Sequence, residues 1–144
     1  MAMAPLLTRE EFDAIVAAEL PVAVQLGLRL DSFDHGHAIA RAPYQGSFVR
    51  PGGTIAGPVL MALADYAMYA VTLSMIGRVE LAVTTSLHIN FLRKPAPRDV
   101  IAEGRILKLG KRLAVSEVTL RSEGEVEPVA HVTGTYSIPP RAPG

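Results

Sequence analysis

The sequence predicts an α+β domain in which an antiparallel sheet wraps around one long helix. Two observations lead to this fold class. Residues 55–77 form an almost uncharged stretch whose only charge is Asp65, as expected of a helix that protein surrounds on most sides. After Gly77 the pattern changes to the two-residue period of strands, interrupted by short polar turns. Strands joined by such short turns favour antiparallel pairing over crossovers through helices.

The composition indicates a single folded domain and excludes several functional classes. The chain has 144 residues, of which 49% are hydrophobic and 19% charged, so disorder is disfavoured. Fourteen basic residues balance fourteen acidic ones, whereas a nucleic-acid binder usually carries a basic excess. Without cysteine there is no disulfide, no thiolate zinc site and no thiol nucleophile. The first residues show no secretory signal pattern, so we expect a cytoplasmic protein.

The apolar stretch at residues 55–77 is long enough to be compared with a transmembrane helix. Asp65 lies at its middle, where an aspartate costs roughly +2.5 to +3.5 kcal/mol on insertion scales. Large aliphatic side chains are few, and no basic cluster flanks the stretch on one side. The pattern therefore favours the core helix of a domain, and we expect no membrane partner.

The first quarter of the chain predicts a short helix and a hairpin. Thr8 and Glu11 match a capping box, and the apolar spacing that follows predicts an amphipathic helix that stops near Pro21. Residues 26–42 read as two strands around a polar turn at residues 34–36.

The long helix is predicted for residues 58–75, after a loop rich in glycine and proline. Pro58 suits its first turn, because the N–H that proline lacks is not needed there. Four strands follow, at residues 82–92, 100–109, 113–121 and 129–138. Together these elements predict one domain over residues 1–144, with a helical lead-in at 1–21 and a frayed tail at 139–144.

The first of these four strands has a clear alternation of side chains. One face is predicted to carry Val83, Thr85, Leu87, Ile89 and Phe91. The opposite face is predicted to carry Thr84, Ser86, His88 and Asn90.

Asp65 is the residue that most strongly indicates chemistry. A carboxylate in an apolar helix costs free energy unless it is hydrogen-bonded. Such a group suits a general base or a nucleophile. A structural role, capping a loop or lying at a subunit interface, explains the residue equally well by itself.

The start of the long helix offers a second candidate, Gly57. Free N–H groups at a helix N-terminus favour an anion or a developing oxyanion, although the turn of the loop alone would explain the glycine better. Gly57 and Asp65 are about 12 Å apart along one helix, too far to reach one carbonyl at about 3 Å. If both act, they come from different subunits, which two antiparallel copies of the helix would allow.

Four segments of the chain resemble one family. GPVLMALADYAMYA, TTSLHINFLRKPAP, AEGRILKLGKRLAVSEVTL and VAHVTGTYSI are similar to the hotdog-fold acyl-CoA thioesterases, in the phenylacetate-pathway (PaaI-type) branch. The resemblance covers roughly residues 27–138. It implies the hotdog fold, hydrolysis of acyl-CoA thioesters, and homodimers or dimers of dimers with active sites at the dimer interface.

The resemblance also implies roles for individual residues. Asp65 matches the family's catalytic acid, which activates water or attacks the thioester carbonyl. Gly57 matches the glycine whose backbone N–H holds the thioester oxygen. Thr84 falls where relatives place a serine or threonine that orients the attacking water. Arg50 lies near a position that often carries asparagine and helps to orient the carboxylate or substrate.

Coenzyme A as part of the substrate would bring phosphates to the site. Five cations near the ends of neighbouring strands are candidates to bind them, namely Arg93, Lys94, Lys108, Lys111 and Arg112. The turn that contains Lys111 and Arg112 is the best of these candidates. For any one of these residues, an ordinary solvated turn charge is an equally good interpretation. No other cofactor is implied, and the spacing of the four histidines predicts no metal site.

The helix start departs from the family pattern. Many relatives have His-Gly-Gly where this chain has Ala56-Gly57-Pro58. The imidazole is absent, and Pro58 removes the next backbone donor. A non-catalytic acyl-CoA- or ligand-binding protein of the same fold therefore stays open as an alternative. A hotdog hydratase is disfavoured, because those enzymes usually pair a catalytic histidine with a carboxylate.

Overall fold

Six antiparallel strands form one sheet around a long central helix in the computed structural model, which describes residues 3–140. The helices are α1 (Arg9–Glu19), α2 (Pro21–Gln25) and α3 (Gly57–Ile76), and a short 3₁₀ turn spans Gly46–Phe48. The strands are β1 (Arg29–Asp34), β2 (His37–Ala42), β3 (Val83–Phe91), β4 (Val100–Leu109), β5 (Leu113–Ser122) and β6 (Ala130–Ser137). Every strand contacts α3, so the predicted α+β fold class is confirmed.

The central helix α3 is apolar on all sides because the sheet and α1 surround it. Among the described helices it alone has the length and mean hydropathy (1.6) of a membrane span, and 78% of that window is buried within the chain. The sheet approaches α3 closely at Gly134 of β6, where an added Cβ would lie 2.5 Å from the Met68 sulfur. This burial assigns α3 to the core of the domain.

The N-terminal helix α1 begins as predicted. The Thr8 hydroxyl accepts from the Glu11 N–H at 3.0 Å, and the Glu11 carboxylate accepts from the Thr8 N–H at 2.9 Å. Phe12 is fully buried against the rings of Tyr66 and Tyr69 on α3. Helix α1 ends at Glu19, which confirms the predicted stop near Pro21, and Leu20 leaves the helical conformation with φ −120° and ψ 72°. Pro21 then occupies the first turn of α2, a short helix that the sequence did not predict.

The strand order is β1-β2-β4-β5-β6-β3, which leaves β3 at one edge of the sheet. The side-chain alternation predicted for β3 is wrong at its start. An irregularity in the pairing with β6 lies between Thr84 and Ser86 and shifts the register by one residue. Thr84 consequently faces α3 together with Leu87, whereas Val83 is 57% exposed.

The other strand bounds agree with the prediction to within two residues. The hairpin of β1 and β2 turns at residues 35–36, within the predicted polar turn. The frayed tail predicted for residues 139–144 lies outside the described residues from position 141 onwards.

Candidate active site

Asp65 lies in the middle of α3, where its carboxylate is half-buried. The Thr84 hydroxyl donates to Asp65 Oδ1 at 2.5 Å, and the Tyr136 hydroxyl donates to the same oxygen at 2.9 Å. The Tyr136 oxygen is also 3.1 Å from the Asp65 backbone carbonyl oxygen. These donors supply the hydrogen bonds that a carboxylate in an apolar helix requires.

The second carboxylate oxygen of Asp65, Oδ2, is available to contact water or a substrate. Within residues 3–140, Oδ2 accepts no hydrogen bond. Asp65 lines two cavities, of about 300 and 360 Å³, that share Glu19 and Leu20 as walls. A water molecule or a substrate carbonyl can therefore approach one carboxylate oxygen while the other is held in place.

Tyr136 is a site residue that the sequence did not predict. Burial and the Asp65 charge raise the pKa of the Tyr136 phenol far above its ordinary value, so the hydroxyl remains protonated and can donate. The available signal was its place on the inward face of β6 with Val132 and Gly134, where a buried tyrosine hydroxyl needs a partner. That pattern does not identify the hydrogen-bond acceptor of the Tyr136 hydroxyl.

Gly57 is the first residue of α3. The Ala56 N–H before it donates to the Phe48 carbonyl at 2.8 Å, and Pro58 after it has no N–H. No acceptor for the Gly57 N–H occurs in the described part of the chain. One unpaired donor thus remains at the positive end of the helix, as an oxyanion site requires.

A cavity of about 400 Å³ opens at Gly57 and is bordered by three cations, Arg50, Arg93 and Lys94. Arg93 Nη1 is 2.7 Å from Glu127 Oε2. Arg50 and Lys94 form no ion pair with any residue between positions 3 and 140. The structure therefore brings the predicted residues Arg50, Arg93 and Lys94 together with Gly57.

Lys111 and Arg112 lie elsewhere. They line a separate cavity of about 450 Å³ beside Ile76, the last residue of α3. Since α3 has 20 residues, this cavity is about 30 Å along the helix axis from Gly57. Within one chain, these two predicted phosphate-binding residues are not brought together with Gly57 or Asp65.

The candidate site is divided into two parts within one chain. The first part contains Asp65, Thr84 and Tyr136. The second part contains Gly57 and the three neighbouring cations. The cavity at Gly57 is not lined by Asp65, and the two cavities at Asp65 are not lined by Gly57. The described residues also contain no group of three or more histidine, aspartate or glutamate side chains that could hold a metal ion.

Comparisons with known proteins agree with this architecture. A solved structure of a candidate thioesterase from Silicibacter sp. TM1040 is 40% identical, with a TM-score of 0.86 and 97% of each chain covered. A variant of the phenylacetic acid degradation protein PaaI from Thermus thermophilus is 28% identical, with a TM-score of 0.72 and coverage of 82% of this chain and 98% of that one.

Sequence comparisons lead to the same family. A candidate esterase of Saccharolobus solfataricus is 27% identical over 135 residues, which cover 93% of this chain and 87% of that protein. The profile of the thioesterase superfamily matches residues 52–129, more than half of the chain and the part that contains α3 and β3. The chain therefore belongs to the thioesterase superfamily, as a hotdog-fold thioester hydrolase of the PaaI type.

Proposed function

We propose that this protein is an acyl-CoA thioesterase that works as a homodimer, with each active site built from Asp65 of one subunit and Gly57 of the other. One observation carries the proposal. The free carboxylate oxygen and the unpaired N–H lie on the same helix, about 12 Å apart along its axis. Since both must come within about 3 Å of one carbonyl carbon and its oxygen, a single chain cannot supply them together.

Strand β3 supports a dimer because it is an edge strand with one unpaired side. Its surroundings are unusually apolar for an exposed edge. Four hydrophobic side chains at or beside its ends are more than half exposed, namely Leu81, Val83, Phe91 and Leu92. A second copy of the chain is the partner that a self-complementary edge of this kind fits.

Antiparallel pairing of two β3 strands about a two-fold axis near Leu87 would bring the two parts of the site together. Thr84, near the start of β3, bonds Asp65, and Phe91, at its end, packs against Gly57. In such a pair the Thr84 end of one strand lies opposite the Phe91 end of the other. Each Asp65 then approaches the partner's Gly57, and a dimer has two equivalent sites.

The proposed chemistry is hydrolysis of a thioester. Asp65 Oδ2 either takes a proton from water, whose oxygen then adds to the carbonyl carbon, or attacks that carbon directly. Thr84 orients the water, and the partner's Gly57 N–H stabilises the negative charge on the carbonyl oxygen. The carbon–sulfur bond breaks, and the thiolate of coenzyme A leaves and takes up a proton. After direct attack, water hydrolyses the acyl anhydride formed on Asp65, which releases the acid and restores the carboxylate. This reaction needs no cofactor besides the coenzyme A of the substrate, and we propose that it takes place in the cytoplasm.

The cations around Gly57 are proposed to bind the phosphates of coenzyme A. Arg50 and Lys94 are the better candidates, because Arg93 is already paired with Glu127. Lys111 and Arg112 would take part only if dimer or tetramer formation places their cavity against the same nucleotide.

The variant with Arg50→Gln and Lys94→Gln is expected to raise KM for acyl-CoA about threefold to tenfold with little change in kcat, as exposed charge pairs are individually weak. A thioester of pantetheine, which lacks the nucleotide, should show no such rise. Arg98→Gln is the matched control, since this exposed cation lies outside the cavity. An equal rise in KM for both substrates would contradict a phosphate-binding role.

Thiol release from a panel of acyl-CoA esters tests the proposed function. The panel contains phenylacetyl-, hydroxybenzoyl-, short-chain, long-chain and succinyl-CoA. We expect uncharged acyl groups to react faster than succinyl-CoA, because Glu19 and Glu80 line the cavity at Asp65 and repel a carboxylate. Saturable binding of acyl-CoA without any thiol release would instead support the non-catalytic binding protein, with Ala56 and Pro58 as the reason.

A further inference from the structure

We propose that Tyr136 is a positioning residue for Asp65: its hydroxyl holds Oδ1 of the carboxylate so that Oδ2 faces the substrate. This inference rests on the proposed catalytic role of Asp65 and adds a residue to it. Both acceptors of the Tyr136 hydroxyl belong to Asp65, the side-chain Oδ1 at 2.9 Å and the backbone oxygen at 3.1 Å. The phenol thus ties the carboxylate to the helix backbone from which it projects.

The position of the Tyr136 hydroxyl is set by packing. The side chain is only 2% exposed, and its ring lies 6.1 Å from the ring of Tyr69. Strand β6 is paired on both sides, with β5 and with β3. A donor on such a rigid support can select one orientation of the carboxylate, whereas a hydroxyl on a mobile loop could not.

Thr84 lies directly across from Tyr136 in the pairing of β3 with β6, and its hydroxyl donates to the same Oδ1. Thr84 lies next to the pairing irregularity of β3, whereas the pairing of β6 with β5 is regular at Tyr136. Oδ1 thus receives two donors, and Oδ2 receives none within residues 3–140. The two oxygens therefore have different tasks, one in anchoring and one in chemistry.

The electrostatic surroundings make these donors important. The charged groups that line the cavities at Asp65 are Glu19 at the end of α1 and Glu80 before β3, both acidic. The other titratable groups there, Tyr66 and Tyr69, are uncharged phenols on α3 itself. Among the described residues lining these cavities there is no cation. Thr84 and Tyr136 are thus the groups that supply hydrogen bonds to this carboxylate.

Tyr136→Phe tests the proposal through its separate effects on kcat and KM. We expect kcat to fall about tenfold with KM nearly unchanged, because the carboxylate is no longer oriented. A merely structural role would lower the melting temperature and leave kcat of the folded protein unchanged.

Tyr69→Phe is the matched control. Tyr69 is also buried and its ring lies beside that of Tyr136, but its hydroxyl donates to the Glu80 carbonyl at 3.0 Å. Its kcat should stay within about twofold of that of the unmodified protein. An unchanged kcat in Tyr136→Phe would overturn the proposal, as would an equal fall of kcat in Tyr69→Phe.

If Tyr136→Phe does not fold, 3-fluorotyrosine at position 136 replaces it. This residue keeps the ring and the hydroxyl but is a stronger donor, so the ¹³C chemical shift of the Asp65 carboxyl group is expected to change. An unchanged chemical shift then overturns the proposal.

The ¹³C chemical shift of the Asp65 carboxyl group distinguishes failure of this proposal from failure of the proposed function. It is expected to change in Tyr136→Phe, which removes a hydrogen bond to the carboxylate, and to stay the same in Tyr69→Phe, whether or not the protein hydrolyses any acyl-CoA. An unchanged chemical shift in Tyr136→Phe refutes the role of Tyr136 even in an active enzyme. A changed chemical shift in a protein without turnover refutes the catalytic role of Asp65 alone.

Discussion

Asp65→Asn is expected to lower kcat/KM for acyl-CoA hydrolysis by about 10²- to 10⁴-fold, the range for loss of a positioned general base. Asparagine has nearly the same shape as aspartate, and its carbonyl oxygen can still accept from Thr84 and Tyr136. The fold should therefore persist. An amide, however, can neither take a proton from water nor attack a thioester carbon. Thiol release and thermal unfolding, measured on the same preparation, separate the two effects.

Asp13→Asn serves as the control for this substitution. Asp13 is an exposed aspartate on α1 that lines neither of the cavities at Asp65, so its loss should leave kcat/KM within about twofold of the original. Turnover by Asp65→Asn at the level of the Asp13 control would show that another group performs the chemistry. In that case the hydrogen bonds of Asp65 would be purely structural.

Gly57→Pro is expected to reduce kcat/KM about 10²- to 10³-fold, because it removes the single N–H proposed to hold the oxyanion. The backbone can accept proline here. Gly57 is the first residue of α3, where proline is well tolerated, and Ala56 before it has φ −65° and ψ 141°, the extended conformation that precedes proline. Gly57→Ala is the matched control: it keeps the N–H, and its Cβ lies 3.3 Å from Phe91 Cζ.

Mixed dimers of Asp65→Asn and Gly57→Pro subunits should regain activity that neither variant has alone. In a heterodimer one site carries both defects, and the other combines the intact Asp65 of one subunit with the intact Gly57 of its partner. Random assembly yields heterodimers as half of the dimers, so the mixture should reach roughly one quarter of the original activity. Differently tagged subunits, co-expressed and purified as the heterodimer, should reach about half.

Failure of the mixed dimers to regain activity would place both groups in one chain or remove one of them from the mechanism. A mixture of Gly57→Ala and Asp65→Asn subunits is the control for the effect of mixed assembly on activity. Its activity should follow the number of intact Asp65 residues, because each Gly57→Ala subunit still offers its N–H.

The sequence was most informative where the determinants are local. The capping box at Thr8 involves residues three apart, and it predicted the start of α1 correctly. The apolar stretch around Asp65 predicted α3 to within one residue at each end, since a helix apolar on all sides must lie in the core. The sequence did not predict α2, because Pro21 is compatible with the start of a helix as well as with the end of one.

By itself the sequence determined the fold class, the superfamily and the identity of Asp65 and Gly57 as candidates that one helix keeps apart. The superfamily came from the resemblance of four segments to known relatives. The fold class and the separation of the two candidates follow from periodicity and from the rise of a helix, which depend on neighbouring residues only. The tertiary structure alone decided that the irregularity in β3 turns Thr84 towards Asp65, that Tyr136 joins it from 71 residues away, and that Lys111 and Arg112 lie at the far end of α3. Such contacts depend on strand register and on packing between distant segments, and a shift by one residue turns a side chain to the other face of a sheet.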